Sequence, residues 1–429
     1  MEQGITELVT HLVLGLAVIL VAAKVVGELT ERFLKQPSVL GELVAGMVIG
    51  PHALGSVDLP LVGRLFSHSG AGAESFIPVS PELWSVAQIA AVVLLFAAGL
   101  ETDLRQFLRY APQATVIAIG GVLLPFFLGA YGAVLFGGAS SMLEPMPLFM
   151  GAAMTATSVG ITARILADIR KINTPEGVTV LAGAVVDDVL GILVLTVVVG
   201  IAAAGGISLG AVAVVGAKAI GFWLGLTVLG ILTSRYISRF LLSFKAAGAT
   251  LALALGLAFL AAALAEKFGL AMIIGAYSIG LALSTTDLKS RLAEPLEAVA
   301  HALVPIFFVV MGMLVDVQAM GAALVFGLVI TAFAIVGKVA GCAIPALAVG
   351  FNKVGAWRIG VGMLPRGEVA LIVAGVGLSR GIIGPDVFGV AIMMTVVTTF
   401  LAPIFLVPAF RSGGSGLRKG PTAEPVRTA

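Results

Sequence analysis

The sequence predicts an all-α integral membrane protein, on the evidence of its composition and of the lengths of its apolar runs. Of its 429 residues, 59% are hydrophobic and only 11% are charged, against roughly 25% charged residues in an average soluble domain. The mean hydropathy is +1.12. Apolar runs such as 8–23 and 177–204 are close to the ~20 residues with which a helix crosses a bilayer.

Polar and Gly- or Pro-containing segments divide the chain into about 13 predicted transmembrane helices. We expect one transmembrane domain over residues 1–410. It is followed by a short tail, 411–429, which is rich in Gly and contains Pro and Arg and is expected to be disordered. The predicted spans are 8–28, 37–54, 83–101, 112–136, 147–166, 178–202, 208–232, 249–265, 269–285, 299–315, 320–349, 359–379 and 386–410.

Lysine and arginine predict the orientation of these spans, because cytoplasmic loops retain an excess of positive charge. With the N-terminus outside, only Arg64, Lys267 and Arg380 fall on the outer side. Eighteen lysines and arginines fall in the cytoplasmic loops and tail, among them Arg105, Arg235, Lys289 and Arg358. The odd number of spans then places the C-terminus in the cytoplasm. We therefore predict a multi-pass protein of the inner (plasma) membrane, with its N-terminus outside and its C-terminus cytoplasmic.

Three ionisable residues lie deep inside predicted spans, where an unpaired charge costs several kcal/mol and marks a candidate functional site. Asp187 and Asp188 stand near the middle of the sixth span, and Lys338 stands near the middle of the eleventh. Two adjacent carboxylates in a low dielectric do not both ionise easily, so such a site holds either protons or a hard cation. Lys338 requires an anionic partner, and either aspartate is a candidate. Competition between protons and a cation for the same carboxylates is the minimum that proton-coupled cation exchange requires.

Two further segments are expected to interrupt helices in the middle of the membrane, namely 154–162 and 362–369. The first contains Thr157 and Ser158, whose hydroxyls, with freed backbone carbonyls, suit a sodium ion. Interrupted helices at corresponding places in two halves of a transporter indicate its substrate site. Arg366 and Glu368 in the second segment form a charge pair that can neutralise the helix ends and each other. A structural role for this pair is at least as well supported as one in ion handling.

Together these motifs resemble the monovalent cation/proton antiporter family, in its second branch, and within it the NapA type of bacterial sodium/proton antiporter. The resemblance covers about residues 10–410. Any one of the motifs is weak alone, but their order and their places on the spans make the set specific. The motifs are QPSVLGE at 36–42, AGMVIGP at 45–51, LFAAGLE at 95–101, TATSVGIT at 155–162, VDDV at 186–189 and PRGEV at 365–369.

The resemblance implies inverted repeats with two crossed discontinuous helices, a core and a dimerisation subdomain interleaved in one domain, a homodimer, and an elevator-type movement. It implies that Asp188 binds the ion and that Asp187 is its neighbour, paired with Lys338 when sodium is absent. Thr157 and Ser158 would lie beside the ion. The Asp-Asp pair with a lysine is typical of electrogenic exchange of sodium or lithium for protons.

Alternatives remain open at this point. A potassium/proton antiporter would use the same residue types, and a passive cation channel is a remote alternative, since a defined filter is not apparent. We expect no enzyme activity, no cofactor beyond the transported sodium and protons, and no nucleic-acid partner; the expected partners are monovalent cations, protons, membrane lipid and a second copy of the chain. The sequence leaves open the roles of Glu42, Glu101, Lys218 and the segment 52–82.

Overall fold

The protein is described by a computed structural model that covers residues 2–59, 63–66, 77–136, 139–204, 209–316 and 324–418. Within these ranges the chain is helical, apart from short connections and a two-stranded antiparallel ribbon, β1 (Asp58–Leu59) with β2 (Gly63–Arg64). The ribbon falls in the segment 52–82, whose role the sequence left open. The helices are α1 Glu2–Leu29, α2 Ser38–Ile49, α3 Pro81–Glu101, α4 Leu104–Phe136, α5 Pro145–Thr155, α6 Val159–Asp168, α7 Pro175–Ala204, α8 Leu209–Leu242, α9 Ala249–Lys267, α10 Met272–Leu283, α11 Leu288–Met313, α12 Leu324–Ala348, α13 Lys353–Gly362, α14 Glu368–Ser379 and α15 Pro385–Arg411.

In the described part of the chain, 11 helical segments are long and apolar enough to cross a membrane. Every predicted span overlaps a helix or a pair of helices, so the all-helical membrane architecture is confirmed. The count of thirteen stays a prediction, because α10 and the apolar stretch of α14 are shorter than a full crossing. The fifth predicted span is α5 followed by α6, and the twelfth is α13 followed by α14.

Several helices extend beyond the spans that the sequence predicts. α4 begins at Leu104 instead of residue 112, and α11 begins at Leu288 instead of residue 299. Cations that the sequence assigned to loops, such as Arg105, Arg235 and Lys289, therefore lie on helices. Hydropathy marks only the apolar part of a helix, whereas the backbone hydrogen bonds continue into the polar turns at its ends.

The packing of the helices repeats between the two halves of the chain. If α8 joins two equivalent halves, α1–α7 and α9–α15, then α2 corresponds to α10 and α3 corresponds to α11. The contact of α2 with α11 is then equivalent to the contact of α10 with α3, and both are present. Both contacts rely on glycine. A Cβ on Gly46 of α2 would lie 2.0 Å from the Val309 carbonyl oxygen, and one on Gly280 of α10 would lie 2.3 Å from the Phe96 carbonyl oxygen. This pattern is the inverted repeat that the sequence predicts, and it places the two interrupted pairs in equivalent positions.

The helices α4 and α12 also pack closely against each other through glycine. A Cβ on Gly120 would lie 2.3 Å from the carbonyl oxygen of Gly341, and a Cβ on Gly341 would lie 2.6 Å from that of Gly120. The two backbones touch because neither glycine has a side chain. The close approach brings Lys338, one turn before Gly341, within reach of the α4 backbone.

The first residues of the tail that the sequence predicts to be disordered are ordered in the structure. Residues 412–418 are held by hydrogen bonds to the α12–α13 connection, where the backbone N–H of Asn352 donates to the Gly416 carbonyl at 2.8 Å. Leu417 also forms an isolated antiparallel bridge with Phe351. The expectation of disorder is therefore wrong for residues 412–418, and for residues 419–429 it lies outside the described part of the chain.

Candidate ion-binding site

The two helix interruptions lie against each other. The stretch 156–158 separates α5 from α6, and the stretch 363–367 separates α13 from α14. The backbone N–H of Ser158 donates a hydrogen bond to the carbonyl of Pro365 at 2.8 Å. Pro365 has no N–H to continue a helix and disfavours the helical conformation of the residue before it, which explains the break at that point. The N–H of Ser158, the residue just before α6, is thus partnered across the crossing, as backbone in a membrane requires.

The hydroxyls of two threonines, one in the first interruption and one in α6, complete the crossing. Thr162 donates to the Gly362 carbonyl at 2.7 Å, and Thr157 donates to the Met363 carbonyl at 3.3 Å. Both carbonyls belong to the end of α13, where the last helical acceptors have no partner within the helix. The Thr157 side chain also lies beside Asp187 of α7. The two interruptions and α7 therefore meet at one place.

Asp187 and Lys338 form an ion pair at this place. The Lys338 Nζ lies 2.9 Å from Oδ1 and 3.1 Å from Oδ2 of Asp187, and both side chains are fully buried. The structure pairs Lys338 with Asp187, as the resemblance implied, where the residues alone left either aspartate as a candidate. A pair of this kind is stable in a low dielectric only if its other hydrogen-bonding groups are also satisfied.

Backbone carbonyls satisfy the remaining donors of Lys338. Its ammonium group donates to the Thr155 carbonyl at 2.6 Å and to the Gly121 carbonyl at 2.9 Å. An ammonium group has three donors, so all of them are used. The Thr155 carbonyl is at the end of α5, where the helix dipole favours a cation. A cation that competes for Asp187 must therefore displace an ammonium group that is fully coordinated.

Asp188 and Ser158 carry further oxygen atoms next to residues of this site. Asp188 follows Asp187 on α7, points about 100° away from it around the helix axis, and is buried. Ser158 is also buried, and among the described residues its Oγ has no hydrogen-bond partner. Gly367 approaches Ser158 so closely that a Cβ on it would lie 2.8 Å from that Oγ. Carboxylate, hydroxyl and carbonyl oxygens are the ligands that hard cations prefer.

Arg366 binds the ends of the half-helices. Its guanidinium group is fully buried and donates through Nη2 to the Met154 carbonyl at 2.7 Å and through Nη1 to the Leu364 carbonyl at 3.3 Å. Those carbonyls belong to the last turn of α5 and to the chain just after α13, so Arg366 neutralises the negative ends of both half-helices. The backbone of Glu368 begins α14, but its side chain lies outside the described part of the structure, and its pairing with Arg366 stays a prediction.

The structure also contains a buried charge pair that the sequence analysis missed. Arg358 of α13 donates through Nη1 to Glu176 of α7 at 2.7 Å, and both side chains are almost fully buried. The sequence assigned Arg358 to a cytoplasmic loop, which is wrong, because it lies within α13. No signal for the pair is present in the sequence, because both residues lie just before predicted spans, where charges are ordinary.

Two of the residues left open by the sequence occupy different environments. Lys218 is exposed on α8, which agrees with a side chain that reaches the membrane surface and not with a buried partner. Glu42 of α2 is buried, and its Oε2 has no hydrogen-bond partner among the described residues. Glu42 therefore remains a group whose role the geometry does not assign.

Comparison with known proteins gives the family of the chain. Residues 16–412 match the family described as "Sodium/hydrogen exchanger, transmembrane". The chain belongs to the sodium/hydrogen exchanger family. It is 36% identical to the "High-affinity Na(+)/H(+) antiporter NhaS3" of Synechocystis sp., over 100% of this chain and 95% of that protein. It is 33% identical to the "Na(+)/H(+)-K(+) antiporter GerN" of Bacillus cereus, over 92% of this chain and 95% of that protein.

A solved structure shares the fold of this exchanger. The sodium proton antiporter MjNhaP1 of Methanocaldococcus jannaschii aligns with a TM-score of 0.68 over 94% of this chain and 99% of that chain, at 17% sequence identity. At this identity the likeness shows the fold alone. The family to which the motifs pointed is confirmed by the family match.

Proposed function

We propose that this exchanger is a secondary active transporter that exchanges sodium, or lithium, for protons across the membrane. The observation that supports this most directly is the buried Asp187–Lys338 pair, next to Asp188, at the crossing of two interrupted helices. A permanent structural ion pair would not need a second buried carboxylate beside it. The names of the relatives NhaS3 and GerN point to the same activity.

Exchange follows from competition between protons and sodium for the same carboxylates. When protons are abundant, Asp188 is protonated and Asp187 stays with Lys338, so the site is neutral without sodium. When protons are scarce, sodium binds Asp188 with Thr157 and Ser158 and displaces the ammonium group of Lys338 from Asp187. Asp188 gives up its proton, and the displaced ammonium group of Lys338 gives up a second one. Two protons are therefore exchanged for each sodium ion, and the transport is electrogenic.

The site reaches the other side of the membrane by an elevator movement. The core that moves consists of α4–α7 and α12–α15, which carry the crossing. The other helices of the two halves, α1–α3 and α9–α11, form the dimerisation subdomain. The chain works as a homodimer in the lipid of the plasma membrane, with the N-terminus outside and the C-terminus in the cytoplasm. Movement is permitted when the carboxylates are occupied, either by a proton and the ammonium group of Lys338 or by sodium.

Transport by purified protein in liposomes tests this proposal. The liposomes contain a pH-sensitive dye and carry an imposed pH gradient, and sodium, lithium or potassium is added in turn. We expect sodium and lithium to dissipate the gradient with the wild-type protein and not with Asp188→Asn. Asp287→Asn is the matched control, because Asp287 is exposed in the turn before α11, and it should transport like the wild type.

Each other outcome contradicts a stated part of the proposal. If potassium alone dissipates the gradient, the potassium/proton alternative replaces the sodium assignment; the name of GerN includes potassium. If Asp188→Asn transports like the wild type, Asp188 is not the exchange site. If an imposed membrane potential leaves the rate unchanged, the transport is not electrogenic.

A further inference from the structure

The segment Ser412–Arg418, which we call the C-terminal strap, is bound to the end of the bundle where α7 and α13 begin. The guanidinium of Arg358 donates to the strap carbonyls of Gly413 at 2.5 Å and of Gly414 at 3.0 Å, and the side-chain amide of Asn352 donates to that of Ser415 at 2.7 Å. Asn352 also accepts hydrogen bonds from the first N–H groups of α13. The strap is therefore part of the capped start of α13.

Arg358 joins the strap to two more helices. Besides its bond to Glu176 in the first turn of α7, it donates through Nε to the Ala409 carbonyl in the last turn of α15 at 3.0 Å, and its guanidinium lies 5.1 Å from the centre of the Phe410 ring. The negative charge of Glu176 at the start of α7 is favoured by the helix dipole. One buried guanidinium thus connects α7, α13, α15 and the strap, and we call this cluster the clasp.

Glycine makes the clasp tight. A Cβ on Gly416 of the strap would lie 2.1 Å from the Glu176 carboxylate and 2.6 Å from the Cα of Gly355 on α13. Any side chain at residue 416 must therefore push the strap away from α7 and α13. The strap fits only as long as both helices keep their present spacing.

The ion-binding site lies further along the same two helices. Asp187 lies about 16 Å along α7 from Glu176, at 1.5 Å per residue. The end of α13, about one turn beyond Arg358, provides the Gly362 and Met363 carbonyls that accept from the first interruption. Because helices are stiff over such lengths, the spacing at the clasp determines how Asp187 and Asp188 face the crossing.

We propose that Arg358 and Glu176 are positioning residues for the ion-binding site and that the C-terminal strap completes their arrangement. The proposal rests on the proposed exchange function. Loosening the clasp shifts α7 against α13, and this shift moves the oxygen ligands away from the positions in which they bind sodium best. The affinity for sodium then falls, while the maximal rate, which follows the movement of the neutralised core, changes less.

The test is a sodium titration of transport in liposomes with Gly416→Ala, which keeps both charges of the clasp. We expect the sodium KM to rise about threefold or more, since small displacements of binding groups have large effects, with a maximal rate within about twofold of the wild type. The matched control is Gly225→Ala on α8, where an added Cβ meets nothing within 4 Å; it should leave both constants unchanged. Arg358→Lys keeps the charge but cannot reach four acceptors, and it should raise KM in the same direction.

A purely structural clasp gives a different result. In that case the variants lose thermal stability or yield, but the protein that is folded keeps the wild-type sodium KM, and the proposal is overturned. If Gly416→Ala does not fold, the KM of Arg358→Lys decides in the same way. If sodium drives no proton movement in the wild-type protein, the proposed exchange function is refuted. If the wild type transports and the variants have the same sodium KM, only the clasp proposal is refuted.

Discussion

Replacement of Lys338 by methionine would remove the cation that faces Asp187 while keeping an unbranched side chain of similar length. Removing one partner of a buried ion pair typically destabilises a protein by about 3–5 kcal/mol. The Thr155 and Gly121 carbonyls would also lose their donor, at about 1–3 kcal/mol for each that stays buried and unpaired. We therefore expect Lys338→Met to lower the free energy of unfolding by at least about 3 kcal/mol at alkaline pH.

The effect should depend on pH and on the partner. At acidic pH a protonated Asp187 carries no charge that needs Lys338, so the loss of stability should shrink as the pH falls. Asp187→Asn alone should also destabilise, because it leaves the Lys338 ammonium unpaired. The double variant Asp187→Asn/Lys338→Met should be more stable than the sum of the two single effects predicts, by about 3 kcal/mol.

The assay is reversible unfolding in mixed micelles at several pH values, for the wild type, the two single variants and the double variant. Coupling between the two positions measures the pair directly. If the two single effects add to within about 0.5 kcal/mol, Asp187 and Lys338 do not form an energetically important pair. If the loss of stability in Lys338→Met is the same at acidic and alkaline pH, the pairing of an ionised Asp187 is refuted.

Two further predictions concern a ligand atom and the packing between the halves. Ser158→Ala should raise the sodium KM and leave the free energy of unfolding unchanged within about 0.5 kcal/mol, because the Ser158 Oγ has no partner among the described residues. A sodium titration of transport and an unfolding curve check this. An unchanged KM would show that Ser158 does not bind sodium. Gly46→Val should abolish folding or transport, because its Cβ would lie 2.0 Å from the Val309 carbonyl oxygen. Gly225→Val should do neither, because a Cβ there meets nothing within 4 Å. Yield and transport of the two variants give the comparison, and normal transport by Gly46→Val would contradict the close contact of α2 with α11.

The sequence predicted those parts of the site whose chemistry is improbable in a membrane. Asp187, Asp188 and Lys338 stood out because charges inside apolar runs must be paired, and the structure brings Asp187 and Lys338 together. The interruptions were visible because Thr157, Ser158 and Pro365 do not continue a helix easily in apolar surroundings. Which aspartate meets the lysine depends on the rotation of α7, and a run that is apolar on all sides gives no information on rotation.

Other features could not be predicted because they depend on contacts between distant segments. Arg358 and Glu176 lie near the ends of predicted spans, where charges are ordinary, and only the packing of α7 against α13 buries them together. The strap has the Gly- and Ser-rich composition of a flexible tail, yet its glycines are what allow it to lie against α7 and α13. The length of α10 likewise follows from its burial among other helices, so hydropathy alone overestimated that span.

The central claim is that sodium and protons compete for the carboxylates of Asp187 and Asp188. The most direct test is the affinity of the purified wild-type protein for sodium, measured by calorimetry at a series of pH values in buffers of different ionisation enthalpy. The account predicts that sodium binding releases protons and weakens steadily as the pH falls, and that Asp188→Asn removes the binding. Sodium binding of constant affinity across the same pH series, with no proton release, would contradict it.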